Sequence, residues 1–333
     1  MLKPERLLIF RVRGENPDLL LLRRMQHYAI GVDLGGTNLR AAAVSDDGEV
    51  IELLDAPTNH QQGNDAVLGA MASAIKQLRD KHGRARLLGI GVGVPGFILM
   101  DKGIITDSPN LPSMKNFPMR DLLSDLVDAP VILENDANAA ALGEKWKGAG
   151  RDVSDLVLLT LGTGVGGGII LNGKIWHGMK GMGAEIGHIT VNAAGNPCGC
   201  GNVGCLEKHA SATALEAMAR MLFPDQNLTS KDLNALADRG DEKALMIFDR
   251  MGDALGIAIA TLSQIFNVPR YLLAGGVLPA WPHFAPRMLR EAERRSFNFR
   301  YCGDDNRIAP AELGGHAGLI GAAYLPISGG KPV

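Results

Sequence analysis

Glu134-Asn135-Asp136-Ala137-Asn138 follows a short apolar run, Val131–Leu133, and opens an alanine-rich stretch. A carboxylate at such a strand-to-helix junction can accept a proton from an attacking hydroxyl. Asn and Asp are also the residues that cap helices. Capping needs one of them; here Asn135, Asp136 and Asn138 crowd one strand end, at the edge where α/β sheets bind ligands. The two roles can coexist. A second group lies downstream. His188 is followed by Cys198, Cys200 and Cys205, with Pro197, Gly199, Gly201 and Gly204 permitting sharp turns between them. Three thiolates and an imidazole suit tetrahedral Zn²⁺, and four protein ligands close the shell, so the ion would be structural. Buried or redox-active thiols are the competing reading. Glu185 and Glu207 flank this loop. A zinc-folded loop would hold their carboxylates rigidly, as binding of sugar hydroxyls requires. His188 ligating through one ring nitrogen would leave the other N–H for a substrate.

The chain carries 42 glycines in 333 residues, about twice the usual ~7%, and they cluster. Gly91/Gly93/Gly96 and Gly162/Gly164/Gly167 both fit G-x-G-x-x-G. A dinucleotide site needs that motif to open a helix. The first instead runs into Pro95 and Phe97-Ile98-Leu99, and the second into a hairpin. Gly168–Lys174 resembles a P-loop but ends in Ile175, which has no hydroxyl for Mg²⁺. Tight hairpin turns offer another use, because their N–H groups can converge on phosphate oxygens. Gly35-Gly36-Thr37 and Gly162-Thr163-Gly164 each join two expected strands, and Thr37 and Thr163 place hydroxyls alike. One such turn reads equally well as a turn without a ligand. Two equivalent turns point to a phosphate held between two halves.

The elements that would carry these groups alternate. Strands are expected at Tyr28–Asp33, Leu39–Ser45, Glu49–Leu54, Leu87–Val94, Val131–Leu133, Leu156–Leu161, Gly168–Leu171, Lys174–Trp176 and Tyr271–Ala274. Helical spacing marks Asp65–Lys81, Asn135–Trp146, Thr213–Leu222, Lys231–Asp238, Glu242–Phe266, Phe284–Arg295 and His316–Tyr324. This is an α/β pattern. Strand, glycine turn and strand open both halves, which suggests an internal duplication. A net charge of −2 favours neither nucleic acid nor an anionic membrane. Ala254–Phe266 is interrupted by Thr261, Ser263 and Gln264, too short and too polar to span a bilayer. Four cysteines are too few for a disulfide scaffold and fit a reducing cytoplasm. The first 24 residues hold six Lys/Arg, three acids and the run Leu19–Leu22. Residues 1–25 read as a frayed extension, with Met25 as an alternative start.

Taken together, Asp33-Leu-Gly-Gly-Thr37, Glu134-Asn-Asp-Ala-Asn138, Leu161-Gly-Thr-Gly-Val-Gly-Gly-Gly168, Gly183-Ala-Glu-Ile-Gly-His188 and Cys198-Gly-Cys-Gly-Asn-Val-Gly-Cys-Leu-Glu207 resemble the ROK family of sugar kinases and repressors, most of all its bacterial glucokinases. The resemblance runs from about Tyr28 to Tyr324. It implies a two-lobed actin/hexokinase-like (ribonuclease H-like) α/β fold with a cleft. The small lobe would be 26–146 plus 314–327, and the large lobe 147–313 with a zinc-binding loop at 188–205. It implies ATP-dependent phosphorylation of a hexose hydroxyl, with lobe closure excluding water. Asp136 matches the family's catalytic base. Asn135, Glu185, His188 and Glu207 match its sugar contacts, and Gly96 and Asn110 weaker ones. Asp33, Gly35, Gly36, Thr37, Asn38, Gly162, Thr163 and Gly164 match the region of phosphates and Mg²⁺. Gly275-Gly276 matches the adenosine turn, and His188 with Cys198, Cys200 and Cys205 the structural zinc site. The implied partners are a hexose, D-glucose first, ATP, and a second copy in a cytoplasmic homodimer.

Three rivals remain. A sugar-responsive repressor of the same family needs a helix-turn-helix of ~60 residues, and the 24 residues before Met25 show no such pattern. An actin-fold ATPase without a sugar acceptor has no use for Glu185, His188 and Glu207. A kinase for N-acetylglucosamine, N-acetylmannosamine, mannose or fructose would differ in pocket shape around Gly96 and Asn110.

Overall fold

The computed structural model describes residues 27–108, 110–302 and 307–329. The reading of residues 1–25 lies outside them. The described residues form two compact units. The first runs to Arg151 and takes in Asn172–Gly183 and the chain from Gly315; the second comprises Asp152–Leu171 and Ala184–Gly314. The sequence reading draws the lobes at 26–146 plus 314–327 and 147–313. The segment 172–183 is the main difference, because the chain from His177 to Gly183 packs back on the first unit. Gly181 (φ +80°) lies so close to the Ile98 carbonyl that a Cβ there would sit 2.5 Å from its oxygen.

The first unit is built on β1 (Tyr28–Leu34), β2 (Asn38–Ser45), β3 (Val50–Pro57), β4 (Leu87–Val94) and β7 (Val131–Asn135), with β5 (Phe97–Leu99) and β6 (Ile104–Asp107) forming a small hairpin. The second has β8 (Leu156–Leu161), β9 (Val165–Leu171), β10 (Lys174–Ile175), β11 (Arg270–Ala274) and β12 (Ile308–Pro310). The sheet orders are β3-β2-β1-β4-β7 and β10-β9-β8-β11-β12. In each, the first strand pairs antiparallel with the second and parallel with the fourth, and the fourth pairs parallel with the fifth. The duplication expected from the glycine turns is therefore present at the level of topology.

Each unit has its own apolar core. Strands β1, β8 and β11 are buried along nearly their whole length, and β4 from Ile90 onward, as parallel strands covered on both faces must be. The helix Ala317–Ser328 lies flat on the first sheet because Gly91 has no side chain. A Cβ there would stand 1.9 Å from the Ala322 carbonyl oxygen.

Sequence periodicity missed the helix Met119–Val127 and started the helix Trp281–Arg295 three residues late. The latter begins with Pro282 in its first turn, where the missing N–H costs nothing. The last helix continues past Tyr324 to Ser328, with Pro326 inside it. Among the described residues no helix is long and apolar enough to cross a membrane.

Candidate active site

Strand register brings the first group together. Asp33 on β1 stands opposite Gly93 on β4, and Gly93 and Val94 stand opposite Glu134 and Asn135 on β7. Asp33, the turn at Gly96, and the pair Asn135-Asp136 therefore share the C-terminal edge of three parallel strands. Asn135 caps the helix Asp136–Lys147: its Oδ1 accepts from Ala137 N at 3.0 Å and Asn138 N at 3.2 Å. Its Nδ2 donates to the Gly96 carbonyl at 3.3 Å. Capping and site-building thus fall to the same residue. Asp136 follows as the first helical residue, its Oδ1 accepting from Ala137 N at 2.9 Å. The helix N-terminus favours a negative carboxylate there.

Asp33 accepts a charged hydrogen bond from Arg40 Nη2 at 2.5 Å, and Gly318, near the start of the last helix, packs against its carboxyl group. Arg40 was not singled out from sequence, yet hairpin counting finds it, since β1 and β2 pair Asp33 with Arg40. Between them the Gly35–Thr37 turn is closed by Gly35 N donating to Asn38 O at 2.9 Å. Gly36 packs against Asn110, whose carbonyl oxygen lies 3.4 Å from where a Cβ would be. The phosphate-type turn and Asn110 are therefore neighbours in one unit.

The second unit gathers the remaining residues. Gly162 N donates to Gly164 O, closing the second turn. Ala212 N donates to Gly162 O, and the Thr213 hydroxyl donates to the Thr163 carbonyl. Thr213 is another residue the sequence reading passed over. Gly275 (φ +102°) sits against Leu161, and Val277 N donates to Leu161 O, so the Gly275-Gly276 turn adjoins the glycine hairpin. A Cβ at Gly162 or Gly276 would meet nothing within 4 Å, which leaves open backbone of the kind a nucleotide requires. Glu207 Oε2 accepts from Val165 N at 3.1 Å, tying one carboxylate oxygen to that hairpin. Burial pushes the Glu185 carboxyl up, Glu207 adds to this, and His188 opposes it.

The four expected zinc ligands converge. The ligand atoms of His188, Cys198, Cys200 and Cys205 all lie within 4.8 Å of one another. His188 Nδ1 is 3.6 Å from Cys198 Sγ, and Cys200 Sγ is 3.6 Å from Cys205 Sγ. Tetrahedral Zn²⁺ with 2.3 Å sulfur bonds needs sulfurs about 3.8 Å apart, so this donor set fits the ion. The turns are those the glycines allow. Gly201 N donates to Cys198 O, and Gly204 (φ +72°) passes so close to Asn192 O that only glycine fits. Burial and the adjacent thiols push Cys205 up to about 12; a bound dication reverses that balance. Nδ1 is the His188 ring nitrogen turned to the thiols, so Nε2 lies on the far side of the ring.

The chain matches the ROK family over residues 29–328. A glucokinase of Halalkalibacterium halodurans is 40% identical over 312 residues, 89% of this chain and 94% of that protein. The structure of a ROK hexokinase from Thermus thermophilus superposes with a TM-score of 0.81 at 35% identity, covering 91% of this chain and all of that one. A ROK family glucokinase from Streptomyces griseus, solved in complex with glucose and AMPPNP, gives a TM-score of 0.77 at 30% identity over 90% of this chain and 98% of that one. With the duplicated α/β topology of those hexokinases, and with sequence similarity along nearly its whole described length, the chain belongs to the ROK family.

Proposed function

We propose that the protein is an ATP-dependent hexose kinase of the glucokinase type, converting D-glucose and ATP to D-glucose 6-phosphate and ADP. The observation that carries this is the placement of Asp136. It stands at a helix N-terminus beside Asn135, on the sheet edge that also holds Asp33 and the Gly35–Thr37 turn. In this reading Asp136 accepts the proton of the sugar's primary hydroxyl as that oxygen attacks the γ-phosphorus. Asn110, Asn135, Glu185, His188 through Nε2, and Glu207 orient the other hydroxyls, with Gly96 shaping the pocket floor. Asp33, Gly35, Gly36, Thr37, Asn38, Gly162, Thr163 and Gly164 serve the triphosphate, and Gly275-Gly276 the adenosine. Mg²⁺ near Asp33, when bound, supplies positive charge for the transferring phosphoryl group. Zn²⁺ held by His188, Cys198, Cys200 and Cys205 fixes the loop that carries the sugar-binding acids.

The glucokinase named among its relatives and the glucose-bound Streptomyces griseus structure support the choice of sugar. A coupled ADP-release assay over a panel of hexoses tests it. Hexose-dependent turnover with D-glucose preferred is expected, and release that ignores the sugar refutes it. A gel shift with promoter DNA addresses the regulator alternative; specific retardation released by sugar favours that reading. We further propose a cytoplasmic homodimer. Cys198, Cys200 and Cys205 must stay reduced to serve as thiolate ligands, which suits a reducing compartment, and light scattering at twice the monomer mass checks the assembly.

A further inference from the structure

Glu134 is 2% exposed, and a buried carboxylate is tolerated only when its lone pairs are filled. Oε1 accepts from Asn135 N at 2.9 Å and from Asn138 Nδ2 at 3.0 Å. Oε2 meets His177 Nε2 at 2.7 Å. All of these residues belong to the first unit. The pair was not singled out in the sequence, where 43 residues separate its members, and the mechanism above makes no use of it.

Its position gives it a consequence. On one side, Glu134 grips the backbone and side chain that flank Asp136, and Asn135 passes the constraint on to Gly96. On the other, His177 anchors a small closed loop. Gly183 N donates to His177 O at 2.8 Å, and Gly178 and Gly183 approach so closely that neither has room for a side chain. That loop leads within two residues to Glu185. We propose that His177 is a positioning residue: its Nε2–H bond to Glu134 fastens the approach to the sugar-binding segment onto the strand end that carries the catalytic base. This inference rests on the kinase reading and deepens it.

The chemistry of the pair supports a charged hydrogen bond. Glu134 raises the imidazole's proton affinity, chiefly through the hydrogen bond, against the opposing effect of burial. Titratable groups on the elements packed nearby include Asp107, paired with Phe97 at the end of β6, Lys180, in the turn packed on β5, and Asp136, at the start of the helix packed on β7. The charge acting on His177 is that of Glu134. A carboxylate held by an imidazolium is locked more firmly than one held by a neutral amide, and placement within a fraction of an ångström matters for phosphoryl transfer.

Two measurements on the full-length protein test this. In the first, His177→Ala lowers kcat/KM for the hexose by about tenfold to a hundredfold, while His177→Gln, which can still donate from a nitrogen near the Nε2 position, restores most of the loss. An Ala variant within twofold of wild type overturns the proposal, as does a Gln variant no better than Ala. In the second, the His177 imidazole is titrated by NMR. It should titrate above the ordinary ~6.5 in the wild type and fall toward it in Glu134→Gln. A wild-type value at or below the ordinary one overturns the pair. The NMR measurement needs no turnover. Absence of hexose-dependent ADP release from the wild type therefore strikes the kinase reading, while the titration still judges the pair.

Discussion

Replacing Asp136 with Asn separates catalysis from folding, and the structure sets the size of each effect. Asp136 is the first residue of its helix, and the cap is Asn135, whose Oδ1 already serves Ala137 N and Asn138 N. An amide at 136 keeps an oxygen for the 2.9 Å bond from Ala137 N. The local loss includes a negative charge at a helix N-terminus, about 0.3–1 kcal/mol. The chemical loss is larger. A positioned general base contributes about 10²–10⁴-fold, or about 2.7–5.4 kcal/mol at ~1.36 kcal/mol per tenfold. Asp136→Asn should therefore melt near the wild-type temperature, bind hexose in a calorimeter and yet turn over at least a hundredfold more slowly in the coupled assay. A kcat within tenfold of wild type refutes Asp136 as the base. Loss of hexose binding together with turnover refutes the claim that the sugar is held mainly by other groups.

Three further outcomes follow from the geometry. Protein purified without chelator should carry about one zinc per chain by atomic emission. Cys205→Ser should lose the metal and raise the hexose KM, because His188 and Glu207 bracket the loop; fully active enzyme with less than about a tenth of that zinc contradicts the assignment. Gly91→Ala places a methyl 1.9 Å from the Ala322 carbonyl oxygen and forces the last helix off its sheet, so thermal unfolding should come about 2–12 °C earlier. Burial raises the Glu185 carboxyl, so its stabilising contribution is present below the unfolded-state value and is lost as pH rises through the folded one. Glu185→Gln should accordingly melt higher than wild type at pH 7, with the advantage vanishing toward pH 4, while hexose binding weakens; a lower melting temperature at pH 7 contradicts this.

Much of the site was legible because its residues are close in sequence. The candidate zinc ligands fall within 18 positions, and the cap, the proposed base and the buried acid within three. Strands were legible where apolar runs are long, as in β4 and β8, whose limits agree with the expected ones. Elements of three or four residues were not. β5, β6 and β12 are too short for a period to register, and β12 ends in Pro310, tolerated on an edge strand. The helix Met119–Val127 buries Met119, Leu123 and Val127 but leaves Leu122 and Leu126 exposed, which blurs its stripe. It also follows Pro118 without a side-chain cap. The His177–Glu134 bond was beyond reach for another reason, since nothing local in either residue names its partner. Arg40 is the intermediate case, recoverable by counting residues across the hairpin from Asp33.

The duplicated topology also accounts for an asymmetry in the proposed mechanism. β1 and β8 hold the same place in their sheets, and each runs directly into a glycine hairpin. In the first copy the residue before the final Leu of the strand is Asp33; in the second it is Thr160. The equivalent strands β7 and β12 run into Glu134-Asn135-Asp136 and into Pro310-Ala311-Glu312, so the dense group of acids and amide is built only at the first. A triphosphate is strongly anionic, and an unscreened carboxylate at its hairpin would repel it by an amount that grows as water is excluded. At the second strand end Thr160 stands where the first has an acid, and the carboxylate nearest that hairpin, Glu207, has Oε2 engaged by Val165 N. The first copy can carry acids because Arg40 pairs with Asp33 and because the negative charge of Asp136 is what proton abstraction requires. The two copies of one sheet thus differ in how their hairpin carboxylate is held: Asp33 in the first by the Arg40 guanidinium, and Glu207 beside the second by the Val165 N–H.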